Sequence, residues 1–272
     1  MAEQRQYQKL VSRLGELESV VVAFSGGVDS SLLLAACVDA LGRRALAVTG
    51  RSPSLPQREL EAARQLAREI GARHLVIDTD EMQDQRYLDN TPERCFHCKR
   101  HLFAALRQVA EREGLRHVVE GSNADDSGDH RPGLRAVEQL RVISPLRELG
   151  LDKQAVRTLA RYRGLSVWDK PAAACLASRV PYGSTITAER LHRIEIAEAF
   201  LDDLGCRQIR VRDHNGVARI ELDAASLEKL LDAAVREQVV HKLKSLGFSW
   251  VTVDLEGFRS GSMNVGLSGQ RH

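Results

Sequence analysis

Seven consecutive residues, Ser25-Gly26-Gly27-Val28-Asp29-Ser30-Ser31, gather two glycines, three hydroxyls and a carboxylate within reach of one small anion. Adjacent glycines let the backbone bend tightly and approach a ligand. A helix that starts directly afterwards offers N–H groups with no partner of their own, which attract phosphate. Asp29 is suited to a magnesium ion, which usually bridges a carboxylate to phosphate oxygens. A phosphate loop of the G-x-x-x-x-G-K-[ST] type is excluded, because the stretch has no lysine. The simpler reading is a tight turn capped by Asp29 or Ser30. The flanks favour phosphate: Val20 to Phe24 is an apolar run of strand length, and Leu32 to Ala36 continues as a helix.

Three further sets of residues carry chemistry. Cys175 stands in the small-residue segment Trp168 to Arg179, and Arg179 or Lys170 could lower its pKa toward a reactive thiolate. Arg210 and Arg212 alternate along a predicted strand and so share a face, an arrangement suited to gripping an oxyanion. Cys95-Phe96-His97-Cys98 is a C-x-x-C, consistent with zinc, a redox pair or packing, or with Cys175 as a three-thiolate set for a [4Fe–4S] cluster. Asp125 lies in a second loop at a strand end, as a partner of Asp29 for magnesium or as a plain loop acid.

The elements that must position these residues alternate. An amphipathic helix over Gln4 to Leu17 precedes the first strand. Ala45 to Thr49, His74 to Asp78 and His117 to Glu120 read as further strands, with helices over Glu59 to Ile70 and from the C-x-x-C to Glu113 between them. Such alternation predicts an α/β fold with parallel strands, right-handed crossovers and ligands at the carboxyl ends of the strands. Residues Asp129 to Arg135 read as irregular, and helix resumes over Leu151 to Tyr162. The expected boundary divides the chain into residues 1–184 and 185–272. In the second part, a helix from Thr187 to Leu204, hairpin strands around Asn215-Gly216, two helices and a strand over Trp250 to Val253 make a small α+β domain. Residues 257–272 read as a loop.

The 272-residue chain is 43% hydrophobic, enough for sizeable cores, and its 39 Lys+Arg nearly balance 37 Asp+Glu. A net charge of +2 gives no ground for nucleic-acid binding. The absence of a long apolar run predicts no membrane span and a cytoplasmic location. Five cysteines, an odd number, argue against a disulfide framework, and Cys37 and Cys206 read as packing residues.

The glycine loop resembles the PP-loop of the N-type ATP pyrophosphatases. Taken with Cys175-Leu176-Ala177-Ser178-Arg179, Ser52-Pro53-Ser54, Gly121 to Asp126, Arg131 to Arg135, Arg210-Val211-Arg212 and Ile220-Glu221, the chain is similar to the LarE family of ATP-dependent sulfur transferases. The resemblance implies a parallel-sheet PP-loop domain followed by a smaller α+β domain. It implies that Ser25, Gly26, Gly27, Asp29, Ser30, Ser31, Ser54 and Asp125 bind ATP and pyrophosphate with Mg²⁺. Arg179, Arg210 and Arg212 would hold the substrate's phosphate, with Glu198 and Glu221 as acids near the transfer site, and the protein would be a homo-oligomer. The implied substrate is pyridinium-3,5-biscarboxylic acid mononucleotide, converted to thiocarboxylate for a nickel-pincer nucleotide. Sulfur would come from Cys175 itself, leaving dehydroalanine, or from sulfide on a [4Fe–4S] cluster held by Cys95, Cys98 and Cys175. A tRNA thiolase, an amidating PP-loop synthetase and a non-catalytic ATP-binding sensor are the competing readings.

Overall fold

The computed structural model describes residues 2–128, 132–171 and 174–259. The chain forms two compact units, one of residues 1–87 with 93–173 and the other of 88–92 with 174–272, so the second unit begins ahead of the expected 184/185 division.

The first unit opens with α1 (Ala2–Gly15), whose Tyr7, Leu10 and Leu14 are buried. β1 (Val20–Ala23) passes through the glycine loop into α2 (Val28–Leu41), followed by β2 (Ala45–Arg51), α3 (Gln57–Ile70) and β3 (Arg73–Asp78). The one-turn α4 (Gln85–Leu88), the long α5 (Arg94–Glu113), β4 (His117–Val119), α6 (Pro132–Gln139), α7 (Pro145–Glu148) and α8 (Lys153–Tyr162) complete it. The four strands pair in parallel in the order β3-β2-β1-β4. β1 reads as an unbroken apolar run because helices cover both sheet faces. Val20 and Val22 belong to one core with α1, α2 and α8, whereas Val21, Leu46 and Val48 belong to a second core with α5 and α6.

One expectation needs correction. Residues 129–131 lie outside the described residues, but 132–139 form α6 instead of irregular chain. Pro132 stands at the first helical position, where a proline costs no hydrogen bond, and buried Ala136 and Val137 tie the helix to the second core. The C-x-x-C lies in the first turns of α5, at the expected start of that helix.

The second unit contains α9 (Ala188–Asp203), β5 (Arg210–His214), β6 (Val217–Glu221), α10 (Ala224–Leu231), α11 (Ala233–Ser245) and β7 (Trp250–Val253). The Thr187 hydroxyl caps α9 by accepting from Arg190 N–H. β5 and β6 form the expected antiparallel hairpin, and β7 adds in parallel to β6. Leu201, Val211, Ile220 and Leu243 lie in the core of this unit. Of the expected loop over 257–272, residues from 260 onward lie outside those described. Among the described residues, no helix is long and apolar enough to cross a membrane.

Candidate functional site

The glycine loop lies at the carboxyl end of β1, where the sheet fold places ligands. Gly26 has φ of +72°, and a Cβ there would sit 3.1 Å from the α3 backbone at Ala63, so only glycine fits without strain. Gly27 is extended and supplies no side-chain cap to α2. The first helical bond, Ser31 N–H to Gly27 O at 3.0 Å, leaves the amides ahead of it available to an oxyanion. Ser30 and Ser31 both donate their hydroxyls to the Gly27 carbonyl, and Ser25 N–H donates to Ser30 Oγ at 3.3 Å, which fixes the loop's shape. Ser54 lies in the turn after β2, where it shares a 2.9 Å hydroxyl contact with Ser52.

Asp29 is held at both carboxylate oxygens. Asn123 Nδ2 donates to Oδ1 at 2.9 Å and Lys153 Nζ donates to Oδ2 at 2.5 Å. The backbone N–H of Lys153 donates to Asp125 Oδ2 at 2.9 Å, so Asp29 and Asp125 meet on one residue. This arrangement fits magnesium, which is bound by one or two carboxylates together with phosphate oxygens. Sequence reasoning missed Lys153. The loop carries Val28 where other phosphate loops carry a cation, and the cation arrives from the start of α8 instead, through a fold-level contact with no local signal. Asp152, which caps α8 by accepting from Ala155 N–H, is the only hint of where that helix begins. Glu120, buried at the end of β4, accepts from Ser122 N–H, Ser122 Oγ and Ser144 Oγ and so shapes the loop that carries Asn123.

In the second unit Cys175 is an exposed free thiol at the start of a short 3₁₀ turn over Leu176–Arg179. Its carbonyl oxygen accepts from Ser178 N–H at 3.0 Å, Ser178 Oγ at 2.8 Å and Arg179 Nη1 at 3.0 Å. Arg179 is buried. Its Nε and Nη2 fork onto Glu198 at 2.9 Å each, while Nη1 also donates to the Ala174 carbonyl. Glu198 in turn accepts from Val211 N–H, which ties the cysteine turn to β5.

Arg212 forks onto Glu221 at 3.0 and 2.8 Å and donates to Ser178 O. Glu221 is fully buried and also receives Arg219, which bridges to Asp254. Arg210 and Arg212 therefore share a strand but have different surroundings. Arg210 has no carboxylate partner among the described residues. Its guanidinium stacks over Phe258 and donates to Ile209 O. Burial and the neighbouring Arg179 pull its pKa down to about 10, which leaves it cationic at neutral pH and able to gain from a bound anion.

Cys95, exposed, and Cys98, half-buried, stand about one turn apart on α5. Burial lowers the pKa of His97 between them. Among the described residues no three His, Cys, Asp or Glu side chains form a ready-made metal group. Cys37 is buried, and burial pushes its thiol well above the usual range, as expected of a packing residue.

Comparison with known proteins supplies the kinship. The sequence profile of the NAD synthase family matches residues 4–108, the portion that carries the glycine loop. A pyridinium-3,5-bisthiocarboxylic acid mononucleotide synthase of Lactiplantibacillus plantarum is 40% identical over 95% of this chain and 94% of its own. The chain belongs to the LarE family. An uncharacterized protein of Synechocystis sp. is 42% identical over 92% of this chain and 93% of its own. A tRNA-specific 2-thiouridylase of Caulobacter sp. is 30% identical over 74% of this chain and 58% of its own. Family and loop together make this LarE-family chain an ATP-dependent sulfur transferase.

Proposed function

We propose that this protein adenylylates a carboxylate of pyridinium-3,5-biscarboxylic acid mononucleotide and replaces the activated oxygen with sulfur at Cys175. A carboxylate resists a thiolate, and transfer of AMP from ATP gives it a good leaving group. The α2 amides with Ser25, Gly26, Gly27, Ser30 and Ser31 cradle the phosphates, Ser54 adds a hydroxyl, and Asp29 and Asp125 hold Mg²⁺. When magnesium takes Asp29, Lys153 is released to the phosphates and stabilises charge on the departing pyrophosphate. Arg210, with no carboxylate of its own, is the strongest candidate to hold the substrate's phosphate. Arg212 and Arg179 frame that position. The protein works in the cytoplasm as a homo-oligomer.

The observation that carries this reading is the exposed Cys175 thiol, whose own carbonyl is surrounded by donors. Attack on the acyl adenylate gives a thioester and AMP. Loss of the Cα proton to a carboxylate base, Glu198 or Glu221, then expels the thiocarboxylate and leaves dehydroalanine. Ser178 and Arg179 stabilise the charge that this proton loss places on the Cys175 carbonyl oxygen. In the second version, Cys95, Cys98 and Cys175 supply the three thiolates that a [4Fe–4S] cluster needs, a donor set of suitable chemistry. Bound there, a cluster with one open iron would present exchangeable sulfide, and Cys175 would survive turnover.

Intact mass after incubation with ATP, Mg²⁺ and the mononucleotide separates the versions. Loss of the elements of H₂S at Cys175 marks self-consumption, and an unchanged mass with iron-dependent multiple turnover marks the cluster. Full sulfur transfer by Cys175→Ala would eliminate both.

A further inference from the structure

We propose that a cavity of about 540 Å³ beside α8 is a second oxyanion subsite, which receives inorganic pyrophosphate as it leaves the glycine loop. The inference rests on the ATP-splitting reading above. The cavity is lined in part by Lys153, Gln154, Arg157, Thr158 and Arg161, with Trp168 opposite. Positions 153, 157 and 161 are spaced by four residues, so their cations line up along one face of α8. Lys153 belongs to both places: its ammonium lies on Asp29 of the loop and its side chain lines the cavity. An anion leaving Asp29 and its magnesium meets the next guanidinium one turn further along the helix.

Arg157 and Arg161 have no carboxylate partner among the described residues. Arg157 is positioned by the carbonyls of Trp168 and Lys170, and Arg161 lies 5.1 Å from the Trp168 ring centroid. Both are thus held in place while their charge remains unneutralised. Asp125 and Asp152 also line the cavity, each accepting a backbone N–H, from Lys153 and Ala155, and the three cations outweigh their two negative charges. Three cations, an amide and a hydroxyl suit an anion of high charge and small size. Pyrophosphate is the species the reaction releases there: a carboxylate oxygen attacks the α phosphorus, and the bridging α–β P–O bond breaks with its electrons going to pyrophosphate. The subsite would draw product away from the loop and favour the forward direction.

The test is product inhibition of the full-length enzyme by magnesium pyrophosphate, followed through substrate-driven AMP formation. Arg161→Gln, whose side chain makes only a ring contact among the described residues, and Arg157→Gln should each raise the inhibition constant for pyrophosphate about tenfold, the worth of one charge-assisted hydrogen bond. The KM for ATP should rise far less. Equal changes in both constants, or no change in either, would overturn the subsite. A wild-type enzyme that forms no AMP would instead overturn the ATP-splitting reading. Direct titration of Asp29→Asn provides a second readout, since pyrophosphate binding that survives there should weaken about tenfold on adding Arg161→Gln. Orthophosphate and AMP should bind this variant more weakly, and AMP binding as tight as that of pyrophosphate would refute the assignment.

Discussion

Gly121→Ala tests how the sheet sets the phosphate loop. Gly121 follows β4, and a Cβ there would lie 2.9 Å from Ser30 N, 3.1 Å from the Asp29 carbonyl carbon and 3.2 Å from Ser30 Cα. Ordinary contact begins at 3.4 Å, so something must move by about 0.5 Å. All three neighbours are backbone at the start of α2, where Ser30 and Ser31 are fastened to Gly27 O and Asp29 to Asn123 and Lys153. Overpacking of this kind costs about 1–3 kcal/mol, a fall in melting temperature of roughly 2–10 °C. The shifted atoms include the Ser30 amide, one of the α2 amides proposed above to cradle phosphate. A misplacement of about 1 Å can cost on the order of a hundredfold in rate, so half that displacement should lower substrate-driven pyrophosphate release about tenfold. Gly50→Ala is the control. Its Cβ would meet the ends of Leu102 and Thr79 at 2.7 and 2.9 Å, side chains that can rotate away, so it should affect stability more than rate. Wild-type kinetics in Gly121→Ala, or an equal rate loss in Gly50→Ala, would refute the reasoning.

Other consequences are as direct. Lys153→Met should slow ATP-dependent pyrophosphate release about tenfold or more through lost transition-state charge stabilisation, and its melting curve should barely move because the ion pair with Asp29 is partly exposed. Glu221→Gln strands the buried Arg212 guanidinium and should lower the urea stability of the second unit by about 3–5 kcal/mol. Burial lowers the pKa of His74, His97 and His214 below the ordinary imidazole value of about 6.5. The unfolded chain therefore binds more protons as pH falls through that value, and the stability present above about pH 6.5 should decline toward pH 5. A urea midpoint that stays flat from pH 7.5 to 5 would contradict this.

Local pattern made the phosphate loop and its sheet legible, because Val20 to Ser31 carries strand, turn and helix signals without a gap. Gly71, a left-handed cap, and Thr187, a side-chain cap, likewise marked where helices end and begin. Contacts between distant segments were not legible. Arg210 and Arg212 look equivalent by spacing, yet although the β5–β6 register sets Glu221 opposite Arg210, its carboxylate takes the diagonal Arg212 and leaves Arg210 without a carboxylate among the described residues. Lys153 joins Asp29 across 124 positions, and no local signal foretells such a contact. Residues 132–135 read as irregular yet open α6, because a helix's first turn tolerates a proline that would break its middle.

The central claim is that ATP-driven activation delivers sulfur through Cys175. The most direct measurement is the product of Cys175→Ala with ATP, Mg²⁺ and the pyridinium biscarboxylate mononucleotide, read by mass spectrometry beside the wild type. The account predicts thiocarboxylate from the wild-type protein, and from the variant AMP and pyrophosphate but no sulfur-bearing product. Thiocarboxylate from the variant at wild-type yield would contradict it.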